Sequence, residues 1–333
     1  MTRTTIHRIA VVGCGSISRF HFSSYAAHAD RVKVAAACDP LSERTAWARE
    51  TFGVENTFTS VDEMLEFDGW DTAVVCTPSN VRGGTIAKLA EAGKHLLVEK
   101  PLADNYAEAS QAVAACDRAG VRLAVNQNFR DVYPFGIGRS LIEDGRIGDV
   151  LGIAHREVRF RHDAGWRLEL ERYALAVMGV HWLDGFRVLL NRNATWITCR
   201  TYSSPAIDCR GETDAFVQIQ FGNVPVAYVQ SFSSGLGQTD TLVFGETGTL
   251  RLDYDRAEVV KPDGGRDLVE NPYAGERRNE SIFRSLDRLL VAIDEGGEPS
   301  NSGHDNLETI ALLDAAYRSA AEGSPLNLEG VSQ

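Results

Sequence analysis

The first 125 residues alternate short apolar runs with amphipathic segments. The apolar runs predict buried strands at 9–12, 32–38, 72–76, 95–98 and 122–125. Two intervening segments, Ser79 to Ala92 and Asp104 to Ala119, start at polar residues suited to capping and stop at a glycine, as helices do. This alternation is typical of repeated βαβ units around a parallel sheet. We therefore predict an α/β domain of the doubly wound Rossmann type over residues 1–125.

The pattern changes in the second part of the chain, where long segments alternate strictly between apolar and polar side chains. After a predicted helix at 135–143, Val217 to Phe221 and a strand ending near Phe232 flank Gly222-Asn223, which predicts an antiparallel hairpin. Leu250 to Tyr254 repeats the alternation. One face of the resulting sheet is apolar and must be covered, whereas the other is largely polar.

These features predict a second domain over residues 126–333, of the α+β class, built on a mostly antiparallel, open-faced sheet. The segments 282–294 and 305–321 have helical patterns and are expected to pack as supports rather than as a third domain. A sheet with one open face also suits subunit pairing, so we expect a homodimer or homotetramer formed through this sheet.

Composition narrows the class of protein. With 333 residues, 44% of them hydrophobic and 24% charged, the chain is expected to form two soluble globular domains. A net charge of −12 argues against nucleic acid or an anionic membrane as a partner. The six cysteines have no metal-like spacing, no metal is expected, and neither an export signal nor a bilayer-spanning stretch is evident. We expect a cytoplasmic enzyme.

A glycine turn follows the first predicted strand. Gly13 permits a tight turn and Gly15 removes a side chain that would block a pyrophosphate, while the helix that begins around Ser16 and Ile17 offers free N–H groups to phosphates. Asp39 lies 24 residues after Gly15, at the end of the next strand, where an acid binds ribose hydroxyls.

The charge of Asp39 would repel a 2′-phosphate, which favours NAD over NADP, although Arg44 is close enough in sequence to keep NADP open. The alternative for Asp39 is that it only starts the Asp39-Pro40 turn.

Two further segments follow strands at the sheet edge where ligands bind in open α/β folds. Thr77, Pro78 and Asn80 follow the third strand and are expected to line the cofactor pocket; an ordinary connection capped by Ser79 is the alternative. Lys100 follows the fourth strand, and its ammonium group would stabilise alkoxide character on a substrate oxygen, with Glu99 pairing to hold it. The alternative for Lys100 is an ordinary surface lysine.

His181 and Asp184 are three residues apart and share one face of a predicted helix. The carboxylate would orient the imidazole or raise its basicity, so that the pair acts as a general base. A histidine in an apolar helix is also often a core residue with all its hydrogen bonds made, and that alternative stays open here.

Together these residues resemble the Gfo/Idh/MocA oxidoreductases, named for glucose-fructose oxidoreductase, inositol dehydrogenase and a rhizopine-catabolism protein. The resemblance runs nearly end to end and rests on the glycine turn at Gly13, Thr77-Pro78, Glu99-Lys100-Pro101, Asn126 to Arg130, Gly179-Val180-His181 with Asp184, Gly245-Glu246-Thr247-Gly248 and the tail from Gly303 to Ala321.

The resemblance implies roles for several residues. It assigns Lys100 to the nicotinamide and substrate, and His181 to the proton of the substrate hydroxyl. The segment 126–130 matches the family, which implies that Asn128 contacts the cofactor and Arg130 the substrate. In the family an acid usually lies four residues before the histidine, but Val177 occupies that position here.

One further departure from the family and one further segment implied by the resemblance concern the residues near the substrate. The histidine often found after the family's Thr-Pro turn corresponds to about Arg82 in this chain. Trp166, Arg167 and Tyr173 lie in the segment that, by resemblance, lines the substrate side, and the fork of donors on Arg167 suits a carboxylate or several hydroxyls. An exposed loop of mixed charge is the alternative for these three residues.

The sequence thus predicts an NAD-dependent dehydrogenase that acts on a secondary hydroxyl of a sugar, polyol or sugar acid, or on the corresponding ketone. A second hypothesis is a lyase or glycosidase in which NAD is reduced and reoxidised within each turnover. A third is a nucleotide-sensing regulator without catalysis, which the valine at position 177 keeps open.

Overall fold

The computed structural model describes residues 5–328 and divides into two compact units. The first unit contains residues 5–128 and 276–307, and the second contains residues 129–275 and 308–328. In the part of the chain described, no helix is both long enough and apolar enough to cross a membrane.

A six-stranded parallel sheet forms the centre of the first unit. Its strands are β1 His7–Val12, β2 Val32–Cys38, β3 Asn56–Phe58, β4 Thr72–Val75, β5 His95–Glu99 and β6 Leu123–Asn126. Its helices are α1 Ser18–Ala27, α2 Ser42–Phe52, α3 Val61–Leu65, α4 Ser79–Glu91 and α5 Tyr106–Ala119. The strand order β3-β2-β1-β4-β5-β6 confirms the predicted doubly wound topology. The short edge strand β3 was not among the predicted strands.

The helix ends follow from local chemistry. Helix α5 starts two residues later than predicted because Asn105 is its cap: the Asn105 side chain accepts the N–H of Glu108 at 3.0 Å. Helix α4 starts at Ser79 after Pro78, and no side chain caps it, so the predicted capping role of Ser79 is wrong. Helix α5 ends at Gly120, which adopts the left-handed conformation that glycine favours.

Helix α9, Glu280–Glu295, belongs to the first unit, whereas the sequence placed it in the second domain. The reason is its apolar stripe: Leu286 and Leu290 join the same buried cluster as Ile9 and Val11 of β1. The chain therefore leaves the first unit after residue 128, returns to it at residue 276 and leaves it again after residue 307, so a single boundary near residue 125 does not describe the two units.

The second unit contains a nine-stranded mixed sheet with helices on one face. Its strands are β7 Val150–Phe160, β8 Trp196–Tyr202, β9 Asp214–Phe221, β10 Val224–Ser231, β11 Ser233–Gly245, β12 Thr249–Leu252, β13 Arg256–Val260, β14 Arg266–Glu270 and β15 Leu326–Asn327. Its helices are α6 Phe129–Val132, α7 Phe135–Glu143, α8 Val180–Leu190 and most of α10 Gly303–Glu322. Between β7 and α8 lie a 3₁₀ turn, Gly165–Glu169, and a π-helical turn, Leu175–Gly179; a second 3₁₀ turn, Gly275–Asn279, precedes α9.

The order of this sheet is β14-β13-β12-β11-β7-β10-β9-β8-β15, and every pair is antiparallel except β7 with β10. The predicted hairpin of β9 and β10 is confirmed, with Phe221 opposite Val224 and Gly222 at a φ of 63°. Val217 and Ile219 of β9 are buried, whereas Phe216 on the other face is 54% exposed. The sheet therefore has one covered face and one open face.

Strand β12 ends at Leu252, two residues earlier than the predicted end at Tyr254. The carboxylate of Asp253 accepts the N–H groups of Asp255 at 3.0 Å and Arg256 at 3.1 Å. This local turn competes with the continuation of the strand.

Helices α7 and α8 approach each other closely through glycine. A Cβ at Gly185 would lie 2.1 Å from the ring of Phe135, and one at Gly138 would lie 2.8 Å from Leu189. Any side chain at these positions would force the helices apart. This contact fixes α8, and with it His181, over the covered face of the sheet.

Candidate active site

The glycine turn packs directly on the end of β4. Gly13 has a φ of +90°, and a Cβ there would lie 2.9 Å from the carbonyl carbon of Cys76. Both β2 and β4 are neighbours of β1, so this is the point where the strand order reverses and where open α/β sheets bind ligands. A Cβ at Gly15 would meet nothing within 4 Å, so the space above that residue is open.

Asp39 holds this turn. Its carboxylate accepts the N–H of Cys14 at 2.8 Å and the N–H of Leu41 at 3.0 Å, and Arg44 lies 3.5 Å away. The side chain is buried at the carboxyl end of β2. The local turn proposed as an alternative role for Asp39 is thus present, together with a contact to the glycine turn that sequence reasoning did not predict.

The start of α1 has no side-chain cap. Ser16 is exposed, Ile17 precedes the helix without making a capping bond, and the buried Ser18 hydroxyl donates to the carbonyl of Gly15 at 2.7 Å. Nearby, the buried hydroxyl of Thr77 has no hydrogen-bond partner among the described residues. Uncapped N–H groups, an unpartnered hydroxyl and the open space at Gly15 fit a dinucleotide with its pyrophosphate at the helix end.

Glu99, at the end of β5, is the centre of a buried network. It accepts from Asn126 at 2.6 Å and pairs with His21 at 2.8 Å, and the other ring nitrogen of His21 lies 2.8 Å from the hydroxyl of Tyr25. Burial alone would lower the pKa of His21, but Cys76, Tyr25 and Glu99 favour the cation and hold that pKa well above its ordinary value. Burial would raise the pKa of Glu99, but the bond from His21 outweighs it and the pKa is lowered. The two side chains form a buried ion pair.

Lys100 follows this network, half-buried, at the carboxyl end of the sheet. Its backbone N–H donates to the carboxylate of Glu99 at 3.2 Å, and its peptide bond to Pro101 is cis. Glu99 therefore fixes the backbone that carries the lysine. The predicted pairing between the two side chains remains a prediction.

Arg82 is a functional residue that sequence reasoning noted only as a departure from the family. It is buried on α4, and its guanidinium donates to the backbone carbonyls of Thr77, Glu99 and Pro101. Burial lowers the pKa of Arg82 to about 10. The side chain thus ties the turn after β4 to the segment that carries Lys100.

Two other predicted cofactor residues occupy this unit. Asn80 is exposed near the start of α4, after Pro78. Asn128 is half-buried, and its amide donates to the hydroxyl of Ser281 at 3.2 Å. The structure thus collects Gly13, Gly15, Asp39, Thr77 and Lys100 at the carboxyl ends of β1, β2, β4 and β5.

His181 lies in the second unit, in the first turn of α8. It is buried, and its ring stacks on that of Phe129 with the centroids 4.0 Å apart. The preceding turn is π-helical, because the N–H of Val180 reaches back five residues to the carbonyl of Leu175. Val177, four residues before His181, therefore lies in a π turn, which is wider than an α turn, so the side chains before the histidine do not follow the 3.6-residue period.

Arg130 and Asp184 form a bidentate ion pair. Nε and Nη2 of Arg130 each lie 2.7 Å from one oxygen of Asp184. Thr309 donates to the same carboxylate at 2.9 Å, and Arg187 lies 3.7 Å from it. Arg130, Thr309 and Arg187 thus hold Asp184 rigidly one turn after His181. The predicted role of Asp184 in orienting the imidazole stays a prediction.

The predicted substrate segment contains a second polar cluster. Trp166 is 56% exposed, with the guanidinium of Arg167 5.3 Å from its ring centroid. Tyr173 is buried and donates to Asp163 at 2.8 Å, an oxygen that Arg161 also contacts at 2.6 Å. The bond to Asp163 adds to the effect of burial and raises the pKa of Tyr173 further above its usual range.

Glu212 was not predicted as a site residue, because no motif in the sequence contains it. Its buried carboxylate accepts the N–H of Tyr173 at 3.0 Å, the N–H of Leu175 at 2.9 Å and the hydroxyl of Tyr317 at 2.7 Å. The oxygen of Tyr317 in turn accepts the N–H of Ala176 at 3.1 Å. These bonds satisfy the free N–H groups that begin the π turn, and they place the helix that carries His181. Among the described residues, no group of three or more His, Cys, Asp or Glu side chains is arranged to hold a metal ion.

Comparisons with known proteins identify the family to which both domains belong. A family model described as an oxidoreductase family with an NAD-binding Rossmann fold matches residues 7–127, and the model of its C-terminal α/β domain matches residues 139–328. The chain is 31% identical to D-apiose dehydrogenase of Paraburkholderia graminis, covering 99% of this chain and 92% of that protein.

More distant relatives extend the comparison. Identity is 26% with inositol 2-dehydrogenase of Rhizobium meliloti, covering 96% of this chain and 99% of that protein. An oxidoreductase from Agrobacterium radiobacter, solved with NAD+, L-tartaric acid and magnesium, superposes with a TM-score of 0.89 at 25% identity, over 98% of this chain and 100% of that chain.

Proposed function

Because the chain belongs to the Gfo/Idh/MocA family of NAD-binding oxidoreductases, we propose that it transfers a hydride between NAD and a secondary hydroxyl of a sugar, polyol or sugar acid, or the corresponding ketone. The observation that carries the proposal is the set of groups at the carboxyl ends of β1, β2, β4 and β5: an open glycine turn, a buried acid and a lysine. The family resemblance, predicted from sequence motifs, is confirmed by the two domain models.

Substrate class is inferred from the relatives. Curated proteins of similar length are named D-apiose dehydrogenase and inositol 2-dehydrogenase, and both names denote dehydrogenases of polyhydroxylated compounds. Alignment over nearly the whole chain supports a substrate of the same class here.

Lys100 and His181 are the proposed catalytic residues. When bound, NAD supplies the acceptor for the hydride. Lys100 would donate a hydrogen bond to the substrate oxygen and stabilise its negative charge as the proton leaves. His181 would take that proton, and Asp184, held one turn later by Arg130, would orient the imidazole.

The remaining site residues have narrower proposed roles. Gly13, Gly15, Ser16 and Ile17 would receive the pyrophosphate; Asp39 the ribose; and Thr77, Pro78, Asn80, Glu99 and Asn128 would line the rest of the cofactor site. Trp166, Arg167 and Tyr173 would contact the substrate, while Arg130, with two nitrogens bound to Asp184, would act through that carboxylate. We propose NAD rather than NADP because the carboxylate of Asp39 would repel a 2′-phosphate.

We also propose a cytoplasmic homodimer or homotetramer. The six cysteines are all unpaired thiols, in keeping with a reducing compartment. On the open face of the second sheet, Tyr202 and Phe216 are exposed with their rings 6.0 Å apart, which supports pairing of two such faces. Light scattering coupled to size-exclusion chromatography on wild type and Phe216→Arg tests this, and a monomeric wild type would reject it.

The function is tested by incubating pure protein with NAD and a panel of sugars and polyols while NADH absorbance is recorded. We expect NADH with at least one neutral sugar. If the protein binds NADH but reduces NAD with none of the compounds, the proposal of a simple dehydrogenase is contradicted. Solvent deuterium in a recovered product would then indicate internal recycling of the cofactor.

Replacing Lys100 with methionine separates catalysis from binding. We expect kcat to fall on the order of 10² to 10³ with the Kd of NADH little changed, because the lost interaction acts on the transition state. Lys33→Met, which changes an exposed lysine on β2, is the matched control. An unchanged kcat in the Lys100 variant would reject the proposed catalytic role.

A further inference from the structure

Strand β7 presents charged side chains to the covered face of the second sheet. Ile153, His155 and Glu157 are buried on that face, and Arg159 follows at the next alternate position. Burial lowers the pKa of His155 to about 3, so that ring is neutral. Glu157 is 0% exposed, which is rare for a carboxylate without a structural or functional reason.

Glu157 and Arg159 form a close ion pair. Oε1 of Glu157 lies 2.5 Å from Nε of Arg159, and both atoms are buried. The hydroxyl of Thr239 donates to the other oxygen of Glu157. Burial raises the pKa of Glu157, and the bonds from Thr239 and the charge of Arg159 oppose that rise.

The guanidinium of Arg159 is fixed on one edge and open on the other. Its Nη2 lies 3.2 Å from the Thr239 hydroxyl and 3.4 Å from the Tyr254 hydroxyl. The side chain is 40% exposed, and among the described residues its hydrogen bonds come from Nη2 and not from Nη1. Such an arginine is preorganised, because little rotamer freedom is left to lose when its free edge binds a ligand.

The bonded edge links Arg159 to the side-chain cluster that contains His181. The ring of Tyr254 meets the ring of Phe129 edge-on at 6.2 Å, and Phe129 stacks on His181 at 4.0 Å. These three side chains and Arg159 all lie within the second unit. Sequence analysis selected none of Glu157, Arg159 or Tyr254, because a charged strand residue normally indicates the solvent face.

We propose that Arg159, oriented by Glu157, binds hydroxyl oxygens of the substrate and that the substrate is a neutral polyhydroxylated compound. The inference rests on the proposed function and deepens it. The charge of the guanidinium is already balanced by Glu157, so the free edge offers directed donors without the excess positive charge that would favour a carboxylate.

Arg159→Met tests the contact, with Arg156→Met as the matched control. Arg156 lies on the same strand but on the opposite face, where it pairs with Asp240. We expect Arg159→Met to raise KM for the best neutral sugar roughly tenfold or more, as the loss of hydrogen bonds from a charged donor predicts. The Kd of NADH should not change, and Arg156→Met should behave as wild type.

Glu157→Gln tests the charge balance. It keeps the size of the side chain but leaves Arg159 with an unbalanced charge, so the ratio of kcat/KM for a sugar acid to that for its neutral parent should rise. A wild type that prefers the acid over the neutral parent, or an unchanged ratio in this variant, overturns the assignment of a neutral substrate. If Arg159→Met does not fold, Arg159→Lys, which keeps the charge but loses the planar fork, should show the same rise in KM.

Failure of this inference differs from failure of the proposed function. A wild type that oxidises a sugar, with the same KM in the Arg159 variants, overturns the inference alone. If no sugar is oxidised, the site can still be tested by measuring whether sugars shift the melting temperature of the NAD-saturated protein. A shift in wild type that is lost in Arg159→Met supports the inference, whereas no shift in wild type, or a shift retained in Arg159→Met, overturns it.

Discussion

The carboxylate of Asp39 accepts the backbone N–H of Cys14 at 2.8 Å, so the acid at the end of β2 fixes the glycine turn at the end of β1. In the proposed nucleotide site, this one side chain both carries a negative charge and shapes the turn. Variants that separate the two functions should behave differently.

Asp39→Asn keeps an oxygen for the N–H of Cys14 but removes the charge, whereas Asp39→Ala removes both. We expect Asp39→Asn to weaken NADH binding modestly and to strengthen NADPH binding, because the repulsion of a 2′-phosphate is gone. Asp39→Ala should weaken both, roughly tenfold or more for NADH. Fluorescence titration with the two nucleotides measures this, and an unchanged NADPH-to-NADH ratio in Asp39→Asn would contradict it.

Arg82→Met should destabilise the first unit. The substitution leaves three carbonyl oxygens without the donor that now binds them, at about 1–3 kcal/mol for an unsatisfied buried group. The melting temperature and the affinity for NADH should fall together, since the carbonyls belong to the segments around Thr77 and Lys100. Arg118→Met, at an exposed position on α5, is the control and should melt like wild type. Equal melting temperatures for the two variants would reject this role.

The ion pair of His21 with Glu99 predicts a pH dependence of stability. The pKa of His21 is raised in the folded state, so its contribution is complete below the ordinary histidine pKa of about 6.5 and is lost as pH rises through the folded value. The pKa of Glu99 is lowered, so its contribution is lost as pH falls below the ordinary value toward the folded one.

His21→Gln removes the titrating group while keeping a donor toward Glu99. The difference in free energy of unfolding between wild type and this variant should be largest between the ordinary pKa of glutamate and that of histidine, where both contributions are complete. It should shrink as pH rises through the folded pKa of His21. Denaturant titrations from pH 5 to pH 10 give that difference. A difference that stays constant over the range would show that His21 is neutral in the folded protein.

Glu212→Ala should lower kcat without changing the Kd of NADH. The carboxylate holds the N–H groups of Tyr173 and Leu175 and the hydroxyl of Tyr317, all before the helix that carries His181. Loss of these bonds should also cost about 1–3 kcal/mol of stability. Glu212→Gln, which keeps one oxygen, should lie between wild type and alanine. Glu171→Ala, at an exposed site in the same segment, is the control; a kcat for Glu212→Ala equal to that of Glu171→Ala would reject the positioning role.

Local sequence patterns were sufficient to predict most of the secondary structure and the family. Five of the six strands of the first unit, the β9–β10 hairpin and the helix at 135–143 were predicted because a buried parallel strand is apolar throughout and a half-buried strand alternates. The family was predicted from motifs that lie at strand ends, and the domain models confirm it. Each of these signals is contained within a few consecutive residues.

The missing features depend on partners far apart in sequence. Arg82 binds carbonyls 17 and 19 residues away, and the hydroxyl of Tyr317 meets Glu212 from 105 residues away. No local pattern distinguishes such buried charges from surface ones. The assignment of α9 to the first unit likewise depends on contacts between the two ends of the chain.

The π turn at Leu175–Gly179 limits how this enzyme can be redesigned. To introduce an acid before His181, a designer must decide how many residues separate it from the histidine as well as which residue to change. The reason is that a π turn contains one residue more than the α turn it replaces. A carboxylate introduced at Val177 alone would point in a different direction from one on a regular helix. Removing one residue from this stretch would restore the 3.6-residue period of the helix, but would also change the number of residues between the new acid and the histidine.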